Sequence, residues 1–207
     1  MSESVFESFE AYLKGADYPK GKKKIMQAAV DLISTKSYNG TSTLQIAKHA
    51  GLSQATLFKY FKTKEDLLTA ILHPVVPGLF GLFFEELLAL ETTEEKVHYL
   101  VQNRMAYLKT NRALMKIILQ EIFSNKKLRK EQIYIWNTLQ DKLLVLHKEL
   151  IADSRVNPEI TISQMVRICV GPLLAYFAQL YIVGDNSDIS EEDLNLLEKQ
   201  ILAGLWI

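Results

Sequence analysis

TLQIAKHAGLSQATLFKYF, residues 43–61, reads as two short helices joined by a tight turn. Apolar or small residues fall at Leu44, Ile46, Ala47 and Ala50, then at Leu52, Ala55, Leu57, Phe58 and Phe61, and Gly51 sits where the first helix has to stop. Ala47 faces the second helix where the two axes cross at roughly 90–120°, so a longer side chain there would force them apart. Gly51 follows the last periodic residue of the first helix, where the chain commonly turns left-handed, and only glycine does so without a Cβ penalty. Ser42 and Gln45 form an S-x-x-Q capping box for the first helix, and Ser53 caps the second. With Ile46, Ala50, Leu52 and Leu57 turned to the core, the outward face of the second helix carries Gln54, Thr56, Lys59 and Tyr60.

Such a hairpin also occurs in bundles that touch no nucleic acid, and the charge pattern separates the two readings. The 207-residue chain is formally neutral, yet residues 20–64 hold nine lysines against Asp31 alone, a net of about +8. The first nineteen residues come to −3 and residues 65–207 to −5. Affinity for a polyanion follows the local patch through counterion release, so the average pI of 6.9 says little about it. Helix, break, helix inside a basic block is the pattern of a helix-turn-helix that sets its second helix into the DNA major groove.

From Lys22 to Leu72 an amphipathic helix (KKKIMQAAVDLISTKSYNG), a TST start, IAKHAGLS and ATLFKYFKTKEDLLTAIL follow one another. This order resembles the DNA-binding domain of the tetracycline-repressor (TetR) family of bacterial regulators. The resemblance implies an all-α fold of about nine or ten helices. Residues 1–19 would form an N-terminal extension with a short helix, 20–66 a three-helix DNA-binding domain, and 67–207 a helical bundle for ligand binding and dimerisation. Position by position, it implies that Thr41, Ser42 and Thr43 approach a phosphate through hydroxyls and backbone amides at a helix start. Gln54, Ala55 and Thr56 would reach base edges, Gln54 pairing with adenine and Ala55 packing on a thymine methyl. Ser53 joins that contact set, Lys59 and Tyr60 would grip the backbone, and Lys64, behind the cap formed by Thr63 and Asp66, would contact a phosphate. Phe58 stands where many relatives have a tyrosine. Lys22 to Lys24 read as a solvated helix face, with a flexible basic arm as the alternative.

The remaining chain is expected to be helical. MSESVFESFEAYLKG reads as an extra short helix with Ser4 and Glu7 as its capping box, and no charged-then-apolar leader precedes it. A helix over 64–72 is broken by His73, Pro74 and Pro77 and continues from about 78 to 90. Further helices follow from a Thr92–Glu95 cap to about 109, from Asn111 to about 124, and from about 127 to 152. Asn157 and Pro158 open a helix to Val183 that Gly184 closes, and Ser190 opens the last, with Ile189 and Leu194 as a hydrophobic staple. The helix over 159–183 is apolar on more than one face, and 190–206 adds Leu194, Leu197, Ile201, Leu205 and Trp206. That surplus calls for a partner, and a twofold homodimer through these two helices is the simplest one. Two recognition helices about 34–36 Å apart would then meet successive major grooves of palindromic double-stranded DNA.

By the same resemblance a cavity for a small apolar or aromatic ligand lies in the C-terminal bundle, with Phe84, Met105, Trp136, Tyr176 and Phe177 as its walls. The rival classes are a helical module that binds a protein instead of a ligand, and an enzyme. His49, His73, His98 and His147 are scattered, and no H-E-x-x-H, Cys-His spacing or Gly-rich phosphate loop is present, so no catalytic residue, cofactor or metal is expected. Cys169 alone cannot form an internal disulfide, which favours the cytoplasm. Ile168–Val183, the most apolar stretch, is shorter than the roughly 20 residues of a membrane span and holds Gly171, Pro172 and Gln179, so no membrane contact is expected.

Overall fold

A computed structural model describes residues 8–73, 82–121, 126–184 and 188–207, with the side chains of residues 126–138 outside that description. Among the described residues the chain is all helix, apart from one isolated antiparallel bridge between Val156 and Trp206. In order these are α1 (Phe9–Gly15), α2 (Lys20–Lys36), α3 (Thr43–His49), α4 (Gln54–Tyr60), α5 (Lys64–Leu72) and α6 (Phe83–Leu88). Then follow α7 (Thr93–Thr110), α8 (Arg112–Glu121), α9 (Lys126–Ile151), α10 (Ile162–Ala178) with a π-helical turn (Gln179–Val183), and α11 (Glu191–Leu205).

The chain divides into two compact units, one of residues 1–81 and 110–133, the other of residues 82–109 and 134–207. In the first, α2 buries Ile25, Met26, Ala29 and Ile33 on one side. Against it pack α3, α4, α5 and also α8, which brings Leu114 and Ile117 to the same core. The tight point between α3 and α4 is Ala47, fully buried as the crossing of two helices requires. The second unit is centred on Phe84, Val101, Met105, Met165, Leu173, Phe177 and Ile201, with α10 and α11 packed on each other.

Local chemistry sets most helix starts. Ser42 and Gln45 make a reciprocal capping box on α3, as Thr63 and Asp66 do on α5, so two of the otherwise unpaired first-turn amides find oxygen acceptors. Ser53 accepts from the Thr56 amide and Ser190 from the Asp193 amide. α1 is capped by Ser8, whose hydroxyl accepts from the Ala11 amide at 3.1 Å; the Ser4–Glu7 box lies outside the described residues, as do Pro74, Pro77 and the start expected at 78. Lys22 and Lys23 do not form a free arm. They belong to α2, Lys22 with its ammonium 3.8 Å above the Tyr18 ring and Lys23 donating to the Lys14 carbonyl at 3.2 Å.

Gly51 turns the chain between α3 and α4 with φ of 69°. No atom would crowd an added Cβ there, so the requirement is conformational alone. We expect Gly51→Ala to lower stability by about 1–2 kcal/mol, seen as a fall in the thermal unfolding midpoint. An unchanged midpoint would mean that the turn relaxes to negative φ at no cost.

Two expectations for α10 are corrected. It starts at Ile162 under a Thr161–Gln164 capping box, because residues 157–160 are held as a turn: the Asn157 amide donates to the Leu205 carbonyl and the Asn157 side chain accepts from the Glu159 amide, both at 2.9 Å. Its far end is closed by the π-helical turn, with the Gly184 amide donating to the Gln179 carbonyl at 2.8 Å and φ at −86°, so Gly184 is not a left-handed cap. The run Ile162–Val183 is 22 residues long and contains an 18-residue stretch of mean hydropathy 1.6, long and apolar enough by length and composition to cross a membrane, whereas the stretch read from the sequence begins only at Ile168. Its Met165, Leu173, Tyr176 and Phe177 are nonetheless buried within the second unit.

Candidate nucleic-acid interface

α4 is seven residues long, and its environment divides by helical angle. Leu57 is fully buried and Phe61 is 4% exposed, so these two, one turn apart, face α2 and α3. Ala55, Phe58 and Lys59 point away and are exposed, while Gln54, Thr56 and Tyr60 are half-buried at the flanks. Phe58 at 45% exposure and Leu44 at 60% were both counted in the apolar series of the sequence, yet neither reaches the core. The spacing held the signal: with Leu57 and Phe61 filling the inward line, a residue 100° round from Leu57 cannot share it.

The polar residues are held in defined positions. Gln54 donates from Nε2 to the Thr43 hydroxyl at 2.9 Å, tying the start of α4 to the start of α3. Ser53 and Thr56 share a hydrogen bond between their hydroxyls at 2.9 Å. Ser42 is exposed at the head of α3 with its hydroxyl in the capping box. Tyr60 packs its ring on α2 where residue 21 is glycine; a Cβ there would stand 3.2 Å from the Tyr60 hydroxyl. Thr41 is 1% exposed and donates to the Ser37 carbonyl at 2.8 Å, so the phosphate approach expected of it is replaced by a role in holding the turn after α2.

Lys64 sits at the first position of α5 with its side chain turned back. Its ammonium lies 4.0 Å above the Tyr38 ring and donates to the Tyr38 carbonyl. Burial pulls the ammonium below its ordinary pKa while the nearby Glu121 of α8 acts the other way. Burial and then the carboxylates of Glu65, Glu121 and Asp66 push the Tyr38 phenol up to about 12. Glu121, 6% exposed, is itself raised by burial and lowered by Lys64. The single acid of the basic block is occupied as well: Asp31 accepts from Gln27 at 3.0 Å and lies 3.6 Å from the His49 ring. Lys24, Lys36, Lys48, Lys59 and Lys62 remain exposed within the basic block. The arrangement is an exposed helix in a cationic surround, suited to a polyanion with a groove.

In the second unit Phe84, Met105, Tyr176 and Phe177 are all buried, Tyr176 donating to Asp193 at 2.7 Å; the Trp136 side chain lies outside the described residues. The sequence reading missed Tyr181, whose buried hydroxyl has no partner among the described residues and whose ring centroid is 5.1 Å from that of Phe177. Cys169 is buried and its thiol pushed up to about 12, which makes it unreactive. Among the described residues no group of three or more His, Cys, Asp or Glu gathers to hold a metal.

Comparison with known proteins bears on this site directly. Residues 25–71 match the family model described as bacterial regulatory proteins, tetR family. YvkB of Bacillus subtilis, an HTH-type transcriptional regulator, is 44% identical over 50 residues, 24% of this chain and 26% of that one. The chain spans about half the length, 44 and 54%, of two further Bacillus subtilis relatives. Among solved structures, the TetR-family regulator PfmR of Thermus thermophilus superposes with a TM-score of 0.70 at 23% identity, covering 87% of this chain and 98% of that one. FadR of Bacillus subtilis, crystallised with stearoyl-CoA, gives 0.63 at 22% identity over 87 and 95%. At such identities the shared property is the fold, an N-terminal helix-turn-helix followed by a helical domain. Residues 25–71 thus carry the DNA-binding motif of the bacterial regulatory proteins of the tetR family, and the chain shares its fold over most of its length with solved TetR-family regulators.

Proposed function

We propose that the chain is a cytoplasmic, homodimeric repressor that binds a palindromic operator through α3 and α4 and leaves it when a small apolar effector occupies the second unit. The observation that carries the reading is the exposed face of α4 inside a segment of net charge about +8. Thr43, whose hydroxyl accepts from Gln54 and keeps its own proton, offers a donor to a phosphate at the head of α3, Lys59 offers an exposed cation, and Lys64 keeps two of its three ammonium protons beyond the one given to Tyr38. Gln54 reads a base with the amide oxygen that its bond to Thr43 leaves open.

Exposed apolar residues at Val170, Ile182 and Val183 of α10 and its π turn, and at Leu196 of α11, support pairing of two copies through these helices. The aromatic interior around Phe84, Met105, Tyr176 and Phe177 supports an apolar effector, and the stearoyl-CoA held by the FadR structure makes a long-chain acyl-CoA the first compound to try. A bound effector shifts the DNA equilibrium only by its differential affinity for the two states.

Gel-shift titration against a randomised duplex pool tests the reading. Enrichment of an inverted repeat whose binding weakens with salt supports it, and absence of any enriched sequence at low ionic strength overturns it. On the enriched site Lys64→Ala should weaken all sequence variants alike, whereas Gln54→Ala should relax preference at one base pair per half-site by about 1–3 kcal/mol. Equal effects of the two changes on every variant would contradict this assignment.

A further inference from the structure

Phe58 is a large apolar side chain held out of the core on α4, inside the segment 20–64 of net charge about +8. Its neighbours along the same strip of α4 are Gln54, four residues before it, and Ala55, three before, both within reach on a helical surface. The Gln54 amide nitrogen is tethered to Thr43, so the polar edge of the strip is partly spent, and Ala55 with Phe58 leaves an apolar ridge beside Lys59. A cationic surround selects a polyanion as the occupant, and a duplex major groove offers one apolar group, the methyl on C5 of a pyrimidine. A phenyl ring lacks the hydroxyl that a tyrosine would turn to a phosphate, which leaves the Phe58 ring only this apolar use in the groove.

We infer that Phe58 reads the C5-methyl group of a thymine in each half-site, and that a 5-methylcytosine at the same position satisfies it equally. The inference rests on the reading of α4 as a groove-facing helix. It adds a specificity determinant that hydrogen bonds do not supply, and it makes the protein sensitive to cytosine C5 methylation wherever cytosine stands in place of that thymine.

The experiment starts from the site enriched from the randomised pool. Each thymine is replaced singly by deoxyuridine, which removes the methyl and keeps every base-pairing and groove hydrogen-bonding atom. For the wild type, one thymine per half-site should show a loss of about fourfold in affinity, the worth of one buried methyl. Phe58→Ala should bind the thymine and deoxyuridine duplexes equally, while Phe58→Leu, still apolar, should keep part of the difference. In duplexes carrying cytosine at that position, C5 methylation should raise wild-type affinity by about the same factor and leave Phe58→Ala unchanged. Equal losses in wild type and Phe58→Ala at every thymine, or no loss at any, would overturn the inference while leaving DNA binding intact. Failure of the pool to yield any enriched sequence would instead overturn the DNA-binding reading itself.

Discussion

Raising monovalent salt from 50 to 200 mM should weaken operator binding by roughly a hundredfold, with a log–log slope near −3.6 if Lys59 and Lys64 of each subunit are the phosphate contacts. The figure follows from four neutralised phosphates at about 0.9 released counterions each. Lys24, Lys36, Lys48 and Lys62 are also exposed, and each that reaches a phosphate steepens the slope by about 0.9 per subunit. The segregation of charge is what makes this effect large: a chain of zero net charge would ordinarily bind DNA weakly, but here the acids lie outside residues 20–64 except for Asp31, which Gln27 and His49 already engage. Combining Lys59→Ala with Lys64→Ala should therefore flatten the slope by about 3.6 in the dimer. A double variant with the wild-type slope would remove both lysines from the phosphate contacts and pass the role to the exposed remainder of the block.

Features that were legible in the sequence share one property, that their cause lies within four residues. The α5 span 64–72, the capping boxes of Ser42 with Gln45 and Thr63 with Asp66, the Ser53 and Ser190 caps and the Gly51 turn are all local, and the structure has each of them. What the sequence hid depends on distant chain. The start of α10 is delayed by a backbone bond from Asn157 to Leu205, almost fifty residues on, which no local signal near Pro158 could announce. Lys64 turns back because the Tyr38 carbonyl and ring stand in reach, twenty-six residues earlier in the chain. α8 packs on α2 in the first unit although the intervening α6 and α7 belong to the second. Thr41 had the right residue type for a phosphate contact but is buried under the turn that follows α2, where its hydroxyl serves the Ser37 carbonyl. Within α4, Phe58 belongs to the apolar series of the sequence but faces solvent, because Leu57 and Phe61 already fill the inward line.

Phe177→Ala should be among the most destabilising single changes in the second unit, at about 3–5 kcal/mol. Phe177 is fully buried and heads the largest buried side chains of the described residues, so truncation removes the transfer energy of a phenyl ring and leaves a void that α10 can close only in part. Tyr181, one turn further on, provides the contrasting case. Its ring packs near Phe177, but its hydroxyl is buried with no hydrogen-bond partner among the described residues, and a buried hydroxyl in that state incurs a desolvation cost without a compensating bond. Tyr181→Phe keeps the ring and removes that oxygen, and should leave stability within about 1 kcal/mol of wild type or raise it. Urea denaturation followed by far-UV circular dichroism measures both. Losses of similar size in the two variants would show that the Tyr181 hydroxyl bonds to something within the folded protein. A loss below about 1 kcal/mol for Phe177→Ala would show that the second unit repacks around this position, and with it that Phe177 is no rigid wall for an effector.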